Sequence, residues 1–246
     1  MLNPFARRSP ICDFMVASGA LRVTDPGYAP DVCCAGQIDG VRNGRWQAQV
    51  GYYHCPVDQA ASVQHRQHER ELIASAIAEQ ENVGEGNFAA ITIMQGLRRE
   101  LATLEARWKE FDETDPGRVA YLRVCHESQA DAIERDVLDL MGFELADITV
   151  GVDSAKVGFF DLAPYLAVYA NAGDQPSGAS SAACTFQLNI EQLIEANHLF
   201  GVVGFGAVSS TGYGDGMYQC FTRSDGGNIV DAKIVFIEPE DESETE

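Results

Sequence analysis

The chain has 246 residues, 46% of them hydrophobic and 22% charged, and a formal net charge of −20. That length and composition are enough to bury a sizeable core, and no apolar run reaches the roughly 18 residues a membrane-spanning helix needs. The negative field repels nucleic-acid backbones and anionic membranes, so direct nucleic-acid binding and membrane binding are not expected, whereas basic partners and cations are attracted.

The charge is uneven. Residues 1–56 carry five Arg and four Asp, residues 57–147 carry 19 acidic and 9 basic residues, and residues 148–246 carry 14 acidic and 3 basic. The N-terminus, MLNPFARRSP, lacks a long apolar stretch after its arginines and reads as a loose arm rather than a secretory signal. The seven cysteines are odd in number and form no CxxC pair. Free thiols and a cytoplasmic location are therefore expected.

Ile11 to Leu21 is apolar with a break at Ser18-Gly19. Asp25-Pro26-Gly27 then predicts a sharp turn, because proline fixes φ and glycine follows permissively. Asn43-Gly44 predicts a two-residue hairpin joining Gln37–Val41 to Arg45–Tyr53. In that second strand Trp46, Ala48, Val50 and Tyr52 alternate with polar residues or glycine, the pattern of a half-buried strand.

The character changes after Pro56. Ala60 to Glu81 is rich in Ala, Gln and Glu, with Leu72, Ile73, Ala76 and Ile77 at helical spacing. After Gly84–Asn87, a repeat of three and four residues runs through Ile91, Met94, Leu97, Leu101, Leu104, Trp108 and Phe111. Asp115-Pro116-Gly117 stops it. This predicts a helical hairpin inserted at 57–117 between strands.

Val119 to Cys125 alternates again as a strand. Gln129 to Met141 reads as a helix with Gly142 at its stop. Ile148–Val152 and Lys156–Phe160 are predicted strands around Asp153-Ser154. Leu162–Tyr169 fits helix and strand equally, Gly173–Ala183 is a loop, Glu191–Ala196 is weakly helical, and Phe200–Val208 is strand-like. Two alternating runs flank Ser224–Asn228 and predict a closing hairpin entered through the glycine corner Gly212–Gly216. Residues 238–246, with six carboxylates in nine positions, read as a disordered acidic tail.

Four segments resemble an uncharacterised bacterial and phage β-domain family of unknown function. They are Ile11–Tyr28 (ICDFMVASGALRVTDPGY), Asn43–Val50 (NGRWQAQV), Arg118–His126 (RVAYLRVCH), and Val150–Asp161 (VGVDSAKVGFFD) with Ser209–Ile237. The family pattern has Cys where this chain has Gly27, and Gly-Gln or Gly-Thr where it has Ala155-Lys156. The resemblance implies a β-rich fold interrupted by the insertion, and a phage or accessory bacterial role. It implies no chemistry.

Candidate chemistry begins with the acidic loop tips. Asp25, Asp153, Asp161 and Asp215 each lie at a strand end or turn. If gathered, they would offer the oxygen ligands that Ca²⁺ or Mg²⁺ require; otherwise their carboxylates cap nearby backbone N–H groups. His65 and His68 share a helical face and are weighed as zinc ligands, against the simpler reading of two solvated histidines. His126, at a strand end beside Ser128, has no nucleophile elbow around it. The Gly-rich run from Gly201 to Gly216 lacks the Lys of a P-loop. Its TGYGD segment lacks the membrane helices of an ion filter. Candidate binding residues are Tyr213, Gly214, Asp215 and Tyr218 on the glycine corner, with Leu101 and Trp108 on the hairpin.

The expected fold is α+β, an antiparallel β-sandwich-like or open-barrel core from 1–56 and 118–237, carrying the helical hairpin at 57–117. The expected function is a non-enzymatic binding module for a protein partner or for a second copy, with no required cofactor. The alternatives are a carboxylate-metal hydrolase acting at the Asp loops and an acidic nucleic-acid mimic.

Overall fold

The computed structural model describes residues 7–31, 35–54, 56–82, 87–114, 117–133, 140–170 and 182–238. The chain divides into two compact units, one formed by 1–53 with 116–246 and the other by 54–115. None of the described helices is long and apolar enough to cross a membrane.

The first unit is α+β, with its strands in two antiparallel sheets, neither closed into a barrel. The larger sheet runs β1 (Arg7–Arg8), β5 (Gly44–Tyr53), β6 (Arg118–His126), β12 (Asn228–Val235), β11 (Gly216–Asp225), β7 (Glu144–Val152), with β2 (Cys12–Val16) also paired to β5. The smaller sheet runs β4 (Gly36–Asp39), β3 (Ala20–Thr24), β8 (Lys156–Asp161), β10 (Gly206–Ser210), β9 (Phe200–Val203).

The inner faces of both sheets feed one core. Trp46, Ala48, Val50 and Tyr52 of β5, the alternation read from sequence, are all buried in it. Leu122 and Val124 of β6 and Ala232 and Ile234 of β12 join them from the larger sheet, and Leu21, Val23, Val157 and Phe159 from the smaller. The opposite face of the smaller sheet is covered by α4 (Leu162–Ala170) and α5 (Ala182–Ala196). There Phe160 and Val208 pack with Tyr165, Phe186, Ile190 and Ile194 in a second, aromatic-rich cluster. Phe160 stacks on Tyr165 at a centroid distance of 5.1 Å.

Several local expectations need correction. Asn43-Gly44 does not make a hairpin: β4 pairs with β3 and β5 with β6, so the chain crosses there from one sheet to the other. Asn43 instead accepts the Gly19 N–H on its side-chain oxygen at 2.7 Å. Tertiary pairing overrides the local turn preference. Phe200–Val208 is two strands joined through Gly204-Phe205, not one. The helix expected only from Glu191 begins at Ala182, because Ala183, Phe186 and Ile190 supply a buried stripe upstream. The strand expected from Ile148 begins at Glu144, and Leu162–Tyr169 is helical. Of the helix expected over Gln129–Met141, α3 (Ala130–Ile133) is helical and 134–139 lie outside the described residues, as do 239–246 of the acidic tail. The closing hairpin forms with Gly226 and Gly227 at φ +58° and +82°, the left-handed pair a type I′ turn requires.

The second unit is a helical hairpin of α1 (Pro56–Asn82) and α2 (Phe88–Thr114), each about 40 Å long at 1.5 Å per residue. Arg70 pairs with Glu105 at 3.2 Å and Arg98 with Glu81 at 2.9 Å, which makes the helices antiparallel. Ala90, Met94, Leu97, Leu101, Leu104 and Trp108 recur at four- and three-residue steps as the least exposed positions of α2. The matching steps in α1 are Ser62, Arg66, Glu69, Ile73, Ala76 and Gln80. That is the seam of a two-stranded coiled coil, apolar on α2 and largely polar on α1.

Candidate functional site

The loops at one end of the first unit hold most of the residues singled out from sequence. Asp25 follows β3 and is fully buried. Its Oδ1 accepts the Gly27 N–H and the Ser154 hydroxyl, both at 2.7 Å. Its Oδ2 accepts the Asp153 N–H at 3.0 Å and the Ser154 N–H at 2.8 Å. A carboxylate has about four lone-pair sites, and all four are taken. Asp25 thus pins its own Pro-Gly turn to the turn between β7 and β8.

The same loop is held from the helix side. Tyr169 donates its hydroxyl to the Pro26 carbonyl at 2.6 Å, Gln187 its amide to Gly27 at 3.3 Å, and Tyr165 its hydroxyl to Tyr28 at 3.3 Å. Arg22 donates to the Pro30 carbonyl. Burial raises the Tyr165 hydroxyl far above its usual pKa and also raises that of Tyr169, so both remain protonated donors at neutral pH.

The glycine corner is wired to the β7–β8 turn. Ala155 sits at φ +53°, donates its N–H to Asp215 Oδ1 at 3.2 Å and accepts the Thr211 N–H at 3.0 Å. The Gly214 carbonyl accepts from the Thr211 hydroxyl at 2.6 Å and from the Tyr218 hydroxyl at 2.7 Å. Tyr218 meets Phe236 edge to face. Tyr213 is 61% exposed, with the Arg118 guanidinium 4.7 Å above its ring. Tyr213, Asp215, Asp153 and Met217 are among the groups this end presents to solvent, on a backbone held by side-chain bonds.

Asp161 lies at the far end of β8. It accepts the Ala17 and Ser18 N–H groups, each at 3.0 Å, and the Ser18 hydroxyl, so it clamps the β2–β3 turn. Asp25, Asp153 and Asp215 are thus linked through one turn, whereas Asp161 serves another. Among the described residues no group of three or more His, Cys, Asp or Glu is arranged to hold a metal ion. His65 lies 3.7 Å from Glu69 on α1, and His68 is exposed.

His126 is buried. Its Nδ1 accepts the Ser128 N–H at 3.1 Å, capping the short 3₁₀ turn at Glu127–Gln129. That leaves Nε2 to donate to the Asn43 carbonyl at 3.2 Å. Leu101 and Trp108 belong to the hairpin; the Arg70 guanidinium lies 5.0 Å from the Trp108 ring.

A second cluster went unread in the sequence. On the outer face of the larger sheet, Asp231 takes Arg123 through two bonds and Arg223 through a third at 2.6 Å. Lys233 is fully buried beside them. Phe143 places one ring 5.1 to 5.6 Å from the charged ends of Arg123, Arg223 and Lys233. Alternation puts Arg123 opposite Leu122 and Val124, which in sequence reads as the solvent side; only the strand order makes it a buried pair.

Comparison with protein-family models, with curated proteins and with solved structures finds no match.

Proposed function

We propose that the protein is a non-enzymatic interaction module that engages a protein partner through its helical arm. One observation carries this reading. Across the described side chains of the hairpin, Ala90 alone is buried, while Val63, Leu72, Ile91 and Ile93 are exposed at 36 to 64%. Two helices of 27 residues that bury so little of themselves contribute surface rather than a core. The loops of the β unit support a scaffold role, because their buried carboxylates are occupied by backbone and hydroxyl donors. A phage or accessory bacterial setting rests on the sequence resemblance alone.

The test is a photo-crosslinking amino acid placed at Ile91 or Ile93 in the full chain, in cells that produce it, with Leu188 as an exposed control on the β unit. Discrete adducts at the arm positions and not at Leu188 are expected. Equal or absent crosslinking at all three positions rejects the reading.

A further inference from the structure

The geometry points to Arg22 as the anchor of a site for a small oxyanion, a carboxylate or phosphate group, at the β4 margin of the smaller sheet. Arg22 lies between two partners in the sheet, Phe160 of β8 and Gln37 of β4. Leu21 and Val23 on either side of it enter the core between the sheets, so the Arg22 side chain takes the helix-covered face. It is 9% exposed. Its Nη2 donates to the Pro30 carbonyl, and its Nε is buried without an acceptor.

No ion pair to Arg22 forms among the described residues. Asp25 is the carboxylate closest in the chain, and its four sites are occupied by Gly27, Asp153 and Ser154. Asp31 and Asp39 are exposed and do not pair with Arg22; Asp39 accepts from Gln37 at 2.7 Å. A buried cation without a counter-charge is costly, and an unpaired buried N–H adds to that cost.

An oxyanion supplies what is missing. Arginine binds carboxylate and phosphate through two parallel N–H bonds, and Nε and Nη2 offer such an edge once Nη2 leaves Pro30. The Pro30 carbonyl belongs to a half-buried residue, so water can take the place of the Arg22 donor there. Tyr169, Gln187 and Tyr165 continue to hold Pro26, Gly27 and Tyr28. Gln37, which pairs with Arg22 from β4, is exposed. The net charge of −20 opposes loose anion adsorption, so saturable binding reports a built site.

The experiment is thermal unfolding of the full chain, titrated with inorganic phosphate and separately with acetate, at constant ionic strength against chloride. A saturable rise in midpoint is expected for the wild type with at least one of the two, and its loss in Arg22→Met. In chloride, R22M is expected to unfold at or above the wild-type temperature, because it removes a buried charge that has no ion pair among the described residues. A wild-type midpoint unmoved by both anions, or moved equally in R22M, overturns the proposal. If R22M does not fold, the ¹⁵Nε resonance of Arg22 in the wild type decides: a saturable shift supports the site, and a static resonance overturns it.

Discussion

Arg123 grips Asp231 with two parallel bonds, Nε to Oδ1 at 3.0 Å and Nη2 to Oδ2 at 2.7 Å, on the outer face of a sheet whose inner face is the hydrophobic core. The side chains are 5% and 0% exposed. A buried pair of this kind is weak evidence of net stabilisation, but breaking it from one side is expensive. Asp231→Asn leaves Arg123 and Arg223 without their shared anion and is expected to cost about 3–5 kcal/mol. Urea unfolding followed by circular dichroism measures it, and a loss under about 1 kcal/mol would mean that the cations are compensated elsewhere.

Asp25 acts as a clamp. Asp25→Ala strands the N–H groups of Gly27, Asp153 and Ser154 and is expected to lower stability by about 2–4 kcal/mol, since each bond to a charged acceptor contributes about 1.5–3 kcal/mol and these part-buried donors recover some of it from water. Because its lone pairs are already used, neither EDTA nor added Ca²⁺ should move the wild-type melting temperature. A midpoint lowered by EDTA would revive the metal reading at Asp25, Asp153 and Asp215.

Buried acids set the alkaline limit, and Tyr52 and Cys125 are two of them. Burial pushes the Tyr52 hydroxyl, which donates to the His198 carbonyl at 2.7 Å, up to about 12. Burial, with Asp231 adding to it, pushes the Cys125 thiol up to about 12. Their unfolded values are 10 and 9. The folded state therefore holds these protons more tightly, and the contribution is complete below pH 9. It is lost as pH rises toward 12. Stability should fall across that window, and Tyr52→Phe should flatten the fall. By the same reasoning Cys125 and the buried Cys220 should resist iodoacetamide in the native protein, while the exposed Cys184 reacts; peptide mapping after native labelling decides it.

Gly51 is required by a neighbour. A Cβ there would stand 2.0 Å from Tyr121 Cε1, and Tyr121 is 2% exposed. Gly51→Ala should therefore cost about 1–3 kcal/mol through overpacking. A double variant with Tyr121→Leu should recover part of the loss, and strict additivity in thermal melts would refute the contact as the cause.

Much of this protein was set by local pattern. The alternation of Trp46, Ala48, Val50 and Tyr52 was enough to place β5 with one buried face, because a strand's period of two is written in consecutive residues. Gly226-Gly227 announced the closing turn, and the steps from Met94 to Trp108 announced α2. What the tertiary structure decided was which strand meets which. Asn43-Gly44 has a hairpin's residues yet carries the chain between sheets, since long-range pairing with β3 and β6 outweighs a turn preference. Arg123, Asp231 and Lys233 look solvent-facing in their own strands and become a buried cluster only because β6, β12 and β11 lie side by side. Asp25 and Ser154 are 129 residues apart, and no spacing rule links them. Periodicity is a property of neighbours in the chain, whereas burial and charge pairing are properties of neighbours in space.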